Sequence, residues 1–226
     1  MFYKITLYLA LCCSILLNLN QTAFAQELVR FYANGKVGYR NQQQEIVIAP
    51  QYDAGSEFIH GFAIVVKNDL RGYVNTQGDE VIPLIYRDAN PFLNGYASVK
   101  MGSLYGFIDV IGQWKILPRY EEAYPAADQR ILVKEKGKYG FLNEQLDILV
   151  PAIYDKAYSF REGYAPVCRE GKFGYLDTEG KLAIPLIYAS AGYFVNGKAV
   201  VVLNGKKIFI DRRGNYVEDY KPFEER

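Results

Sequence analysis

Apolar positions in this chain do not recur every three or four residues. They come in short runs that alternate with small or polar residues, and the runs return at a fixed interval. Gly38, Gly72, Gly106, Gly140 and Gly174 stand 34 residues apart, as do Tyr52, Tyr86, Tyr120, Tyr154 and Tyr188. An interval of 34 is also that of helix-pair repeats, so the pattern inside the repeat has to decide. The residue after each glycine is aromatic, in GYRN, GYVN, GFID, GFLN and GYLD, with IFID at Ile208 to Asp211 closing the series. Aromatic and β-branched runs this short predict strands.

A turn follows the first strand. Asn75 to Gly78, Asp109 to Gly112, Asp177 to Gly180 and Asp211 to Gly214 each place Asn or Asp three residues before a glycine, the pattern of a type I turn entering a bulge. Gln44 and Leu146 stand where that glycine belongs in the first and fourth units, which predicts looser or differently built turns there. The second strand (EIVIAP, EVIP, WKILP, DILVP, KLAIP) is expected to stop at its proline, which has no N–H for the ladder. A connector with the recurring tyrosine and a later Phe58, Phe92, Phe160 or Phe194 leads to a third strand. In that strand Ala63, Ala97, Ala165 and Ala199 alternate with Val65, Val99, Val167 and Val201, predicting one buried face. Asn34-Gly35, Lys136-Gly137, Glu170-Gly171 and Asn204-Gly205 then turn the chain into the next unit.

Three short strands bury too little to be stable alone, so neighbouring units must complete one another's core. The expected fold is all-β, a tandem array of about five three-stranded antiparallel units beginning near residues 37, 71, 105, 139 and 173, with a partial unit from 207. The ends are offset, since Leu28 to Lys36 aligns with a third strand and Lys207 to Val217 with a first. Such ends either close a propeller-like ring of six units or cap an open spiral. Ile208 in place of the glycine and the polar tail EDYKPFEER favour the open form.

The pattern YGF-[IL]-[DN]-x-x-G, V-I-P-x-x-Y, G-Y-A-x-V resembles the WG-repeat family, also called KWG repeats, over residues 28 to 217. That family typically carries tryptophan before the glycine, where this chain has Val37, Arg71, Tyr105, Tyr139 and Phe173. The resemblance implies a β-rich architecture and brings no active site with it.

The N-terminus reads differently. Lys4, an apolar run from Ile5 to Leu17 and the Ala23-Phe24-Ala25 triplet form a secretory leader, residues 1–25. At about 13 residues the run is short of the roughly 20 that a spanning helix needs, so no membrane insertion is expected after cleavage. Leu11 before Cys12-Cys13 leaves lipidation a minor alternative. Removing Lys4, the sole charge in the leader, takes 26 basic residues to 25 against 25 acidic ones in a single domain, 26–226. A net charge of zero gives no footprint for nucleic acid or an acidic membrane. Only Cys168 remains after cleavage, so no internal disulfide is available.

Catalytic chemistry has little to work with. His60 and Cys168 are the sole residues of their types in the mature chain, and they stand in the first and fourth units. No metal site or cofactor is expected, because the ligand sets and the nucleotide-binding motifs are missing. Asp53, Asp88, Glu122 and Asp155 follow the recurring tyrosine and permit a carboxylate pair of the hydrolase kind, but repetition in four units suits turn capping better. The repeated tyrosines and Trp114 are expected in the core. Departures from the repeat mark the candidate site: PAADQRIL replaces the usual aromatic and glycine in the third unit, and Asp128, Arg130 and Arg119 become candidate ligand-binding residues. The sequence thus predicts an exported, non-enzymatic scaffold of the periplasm, cell surface or exterior that binds a protein partner. Polysaccharide held by exposed tyrosines is the alternative, and a hydrolase the remote one.

Overall fold

A computed structural model describes residues 27–221; the predicted leader, with its cysteine pair, lies outside them. Among the described residues there is no helix, and the strands form six antiparallel sheets in chain order. The first holds β1 (Val29–Ala33), β2 (Lys36–Arg40) and β3 (Ile46–Tyr52), and the second β4 (Ala54–Gly55), β5 (Phe62–Lys67), β6 (Leu70–Asn75) and β7 (Glu80–Tyr86). The third holds β8 (Asp88–Ala89), β9 (Tyr96–Met101), β10 (Leu104–Asp109) and β11 (Trp114–Tyr120). The fourth holds β12 (Glu122–Ala123), β13 (Ile131–Glu135), β14 (Lys138–Leu142) and β15 (Ile148–Tyr154). The fifth holds β16 (Lys156–Ala157), β17 (Tyr164–Arg169), β18 (Lys172–Asp177) and β19 (Leu182–Tyr188), and the sixth β20 (Ser190–Val195), β21 (Lys198–Leu203), β22 (Lys206–Asp211) and β23 (Tyr216–Asp219).

Two expectations about the strands need correction. The connector contributes a fourth strand, two residues long in the second to fifth sheets, as in Ala54↔Val66 and Gly55↔Val65, and six in the last, so each complete sheet is a four-stranded meander. Nor does the second strand end at its proline. In the fourth sheet Tyr139 pairs with Tyr154 and Phe141 with Val150, so Gly140 alone faces residues 151–153, Pro151 among them. A bulge on an outer strand leaves the proline no ladder bond to make, which is why the strand continues through it. The same bulge explains the glycine row. A Cβ on Gly38, Gly72, Gly106, Gly140 or Gly174 would lie 2.4–2.6 Å from the carbonyl oxygen of the strand crossing it.

The turns after the first strand are also more uniform than the sequence suggests. Gln44 N–H donates to Asn41 O at 3.0 Å and Leu146 N–H to Asn143 O at 3.1 Å, the same bond that Gly78 makes to Asn75. Both residues take the left-handed conformation, at φ 67° and 70°. Packing explains the exchange. A Cβ at Gly78, Gly112, Gly180 or Gly214 meets an aliphatic residue of the preceding sheet, whereas no sheet precedes Gln44 among the described residues and its side chain is exposed. Leu146 instead fills that space itself and is buried with Ile116. Gln44→Gly is therefore expected to stabilise the fold by about 1 kcal/mol, since only the strain of the left-handed turn is relieved. A drop in the urea midpoint would contradict this.

Five apolar clusters hold the six sheets together, one for each successive pair. Sheets inside the array are covered on both sides, so β9, β13 and β17 bury both faces rather than the single one predicted, with Ser98 and Leu132 buried as fully as their alternating neighbours, while β5 keeps the predicted alternation. Among the described residues no cluster and no strand pairing joins the first sheet to the last. The end faces are polar. Lys198, Lys207 and Glu218 occupy the places of Tyr164, Phe173 and Ile184 one unit earlier, and Lys198 pairs with Glu218 at 2.8 Å while the Lys207 ammonium lies over Tyr220. Arg40 replaces the buried aliphatics Val74, Ile108, Leu142 and Leu176 on the first sheet. The array is open and capped by charge, as solvated terminal repeats require.

Candidate binding site

The structure separates the three residues singled out in the third unit. Arg119, at the end of β11, donates from Nε and an Nη to Glu135 Oε1 at 3.0 and 2.6 Å. Asp128 and Arg130 precede the other end of the same neighbouring strand, β13, roughly 16 Å away at 3.3 Å per residue. There they bind the next unit: Asp128 accepts from Gly163 N–H at 2.8 Å and Arg130 Nε donates to Thr178 O at 2.8 Å. One unit on, Glu162 stands in the place of Asp128 and accepts from Asn196 and Gly197 N–H at 2.7 and 3.0 Å. These are latches between units. His60, at the matching place in the first unit, is exposed and sits 3.1 Å from Phe92 O.

Other sequence candidates resolve into structural roles. Cys168 is buried at the end of β17. Asp53 accepts from Asn68 N–H and Asp155 from Glu170 N–H, each at 2.7 Å, and each also takes a lysine ammonium, from Lys36 and Lys138. They cap hairpin turns. Trp114 is partly buried, edge-on to Tyr86 at 6.0 Å. The aromatics after the glycines and the tyrosines after the prolines are core, at 7% exposure or less. The aromatic after the glycine packs on the connector phenylalanine in four units, as Phe141 does on Phe160 with ring centroids 5.1 Å apart. Ala126 takes that place in the third unit, and a small cavity of about 20 Å³ beside Phe107 remains.

Tyr124, Tyr158 and Tyr193 lie outside both core rows. Tyr124 and Tyr158 directly follow the two-residue strands β12 and β16, and because Ala123 and Ala157 point into the core, the next side chain points away from it. Tyr193 lies in the bulge of β20, between the pairs Ala191↔Val201 and Phe194↔Ala199. Their exposures are 39%, 42% and 38%, and together they line a groove of about 670 Å³ with Lys134, Tyr139, Asp155 and Lys156. Tyr158 and Tyr193 meet edge to face at 6.1 Å, and the Arg161 guanidinium lies 6.0 Å from the Tyr193 ring. The sequence did carry a signal for two of them: Tyr124 and Tyr158 are 34 apart, at a place held by Ser56 and Asn90 in earlier units.

Glu122 organises the polar side of this groove. It accepts from Tyr124 OH at 2.6 Å, Lys134 Nζ at 2.8 Å and Tyr139 OH at 3.1 Å. Burial alone would raise its pKa, but these three donors outweigh that and hold the carboxyl below its ordinary range. The Tyr124 phenol is pushed up, first by its hydrogen bond to Glu122 and then by burial. A carboxylate held ionised and tyrosines held protonated are poorly poised for proton transfer at neutral pH. What the groove offers is ring faces and hydrogen bonds.

Asp53 and Asp155 are likewise lowered, by the lysine first and the turn N–H next. Because these folded-state values are depressed, the unfolded chain takes up protons first as pH falls. The contribution to stability is complete above the ordinary values of 3.8 and 4.5 and is lost below them. The melting temperature is expected to stay level from about pH 7 to about pH 5 and to decline below about pH 4. Thermal scans across that range check it, and a rise in acid would contradict it.

Comparison with known proteins agrees with the repeat. Among curated proteins no match is found. Solved structures are similar at low identity: Hsv2 of Kluyveromyces lactis (10% identity, 82% of this chain and 70% of that one, TM-score 0.46), and a protein of unknown function from Bacteroides caccae (15%, 86% and 93%, TM-score 0.31). The Pan2 WD40 domain of Neurospora crassa is similar too (14%, 82% and 72%, TM-score 0.37). None of these likenesses, at TM-scores below 0.5, bears on function. The model of the WG containing repeat matches residues 38–70, 72–105, 105–139, 139–173 and 173–206, in step with the glycine row, and the chain therefore belongs to the WG-repeat family.

Proposed function

We propose that this chain is an exported, non-enzymatic scaffold of the cell envelope that binds a protein partner along its tyrosine groove. The observation that carries the reading is the exposure of Tyr124, Tyr158 and Tyr193 side by side when the repeated aromatics of both core rows are buried. Tyrosine supplies a large rigid contact face at little entropic cost, which suits it to anchor a partner. The groove carries both signs of charge, Lys134 and Lys156 against Asp155, with Lys134 already paired to the adjacent Glu122, and so suits a mixed polypeptide surface better than a polyanion. Export rests on the apolar run and the Ala-x-Ala triplet at residues 5–25.

A second reading, an envelope polysaccharide, is favoured by the same ring faces standing beside hydrogen-bonding groups. Affinity capture from the envelope fraction of the producing cell with residues 26–226 separates the two, with proteins and sugars both analysed. One enriched protein that is lost when the three tyrosines become alanine supports the proposal. Enriched polysaccharide without a protein sinks it.

A further inference from the structure

Hairpin turns that lead out of the third strands are capped by carboxylates from one repeated position. Asp53 accepts from Asn68 N–H at 2.7 Å, Glu121 from Gly137 N–H at 3.0 Å, and Asp155 from Glu170 N–H at 2.7 Å. In the second unit that position is Arg87, and the corresponding turn is Gly102-Ser103. The acid is gone and a cation stands in its place.

The surroundings are basic as well. Arg71, Arg87 and Lys100 line one pocket of about 560 Å³ with Gly102, Ser103 and Tyr105, and its carboxylates are Asp69 and Asp88. Asp88 is already engaged, accepting from Tyr105 OH at 2.5 Å and lying 3.4 Å from Arg71 Nε. Lys100 lies over the Tyr105 ring at 5.1 Å, whereas its counterpart one unit on, Lys134, is neutralised by Glu122 at 2.8 Å. Arg87 is exposed. The fifth unit also lacks the acid, with Ala189 there, but it carries Val202 where Lys100 stands and so has no matching charge.

We propose that this pocket binds a carboxylate supplied from outside the chain, which would occupy the place of the missing acid: one oxygen on the Gly102-Ser103 backbone N–H groups, the other on the Arg87 guanidinium, with Lys100 adding charge. Three turns of this fold hold a carboxylate on a turn N–H, and in two of them the second oxygen takes a lysine ammonium, the part Arg87 would play here through a charge-assisted hydrogen bond. An aspartate or glutamate side chain, or a chain terminus, of a bound protein has this chemistry. The site is separate from the tyrosine groove. Partner capture that depends on the tyrosines but not on Arg87 would leave the proposed function standing and this assignment unsupported.

The test is a titration of the mature chain, followed at the amide resonances of Gly102 and Ser103, with sodium acetate and separately with sodium phosphate at constant ionic strength. Saturable acetate-dependent shifts at those two amides are expected. In Arg87→Asp, which rebuilds the acid found at residue 53, acetate affinity should fall at least tenfold while the melting temperature is unchanged or higher. The second readout shows that the variant is folded. Absence of saturable acetate shifts, equal affinity in the variant, or saturation by phosphate alone would each overturn the assignment.

Discussion

Gly140→Ala is expected to lower the unfolding free energy by about 3 kcal/mol or more, the upper end of what forced overpacking costs. The added Cβ would lie 2.6 Å from Val150 O, 2.7 Å from Ala152 N and 2.8 Å from the Pro151 carbonyl carbon. These are backbone atoms of a bulged strand, so no side chain can swing aside to make room. The bulge cannot relax either, because Tyr154 beyond it and Val150 before it are both buried in the cluster that joins the fourth and fifth sheets. Gly137→Ala is the control: its φ is +74° but nothing lies within 4 Å of the new Cβ, so it should cost only about 1 kcal/mol of backbone strain. Urea denaturation of the two variants compares clash with conformation directly. Equal losses would mean that the glycine row reflects turn geometry and not close approach.

Simultaneous replacement of Tyr124, Tyr158 and Tyr193 by alanine should weaken partner binding at least about a hundredfold, about 3 kcal/mol, since clustered aromatic anchors commonly carry most of an interface's energy. Stability should change little, because each ring is more than a third exposed. Tyr→Phe at the same three positions separates the contributions. It keeps the ring faces and removes the hydroxyl that Tyr124 donates to Glu122. A stacking interface would retain most of its affinity in that variant. Calorimetry with the captured partner reads both results, and wild-type affinity in a folded triple-alanine variant would rule the groove out.

Much of the fold was legible because each repeat states its own local rules. Asn or Asp followed three residues later by glycine encodes a turn, an aromatic after glycine encodes a strand, and five copies in step encode an array. The misreadings share a cause. Pro83, Pro118 and Pro151 looked like stops because a proline lacks an N–H, yet a bulge asks for none at that place. Gln44 and Leu146 looked like broken turns because left-handed φ favours glycine, yet the Asn side chains at 41 and 143 organise the turn whichever residue occupies the left-handed position. The two-residue strands were invisible, since a pair of residues has no periodicity.

The candidate site was less legible. Asp128 and Arg130 stood out as departures from the pattern, but departure alone does not say whether a side chain faces solvent or the next unit. Both face the next unit. Tyr124, Tyr158 and Tyr193 were hidden by abundance, because composition does not separate a buried tyrosine from one on an edge.

By itself, then, the sequence determined the all-β class, the 34-residue period, the turn chemistry and the membership of both aromatic rows in the core, because each follows from spacing and residue type within one unit. Tertiary structure alone decided that both faces of the inner sheets are covered and that three tyrosines from separate units share one groove. These depend on how one unit lies against the next, a relation between residues 34 apart that no local pattern encodes.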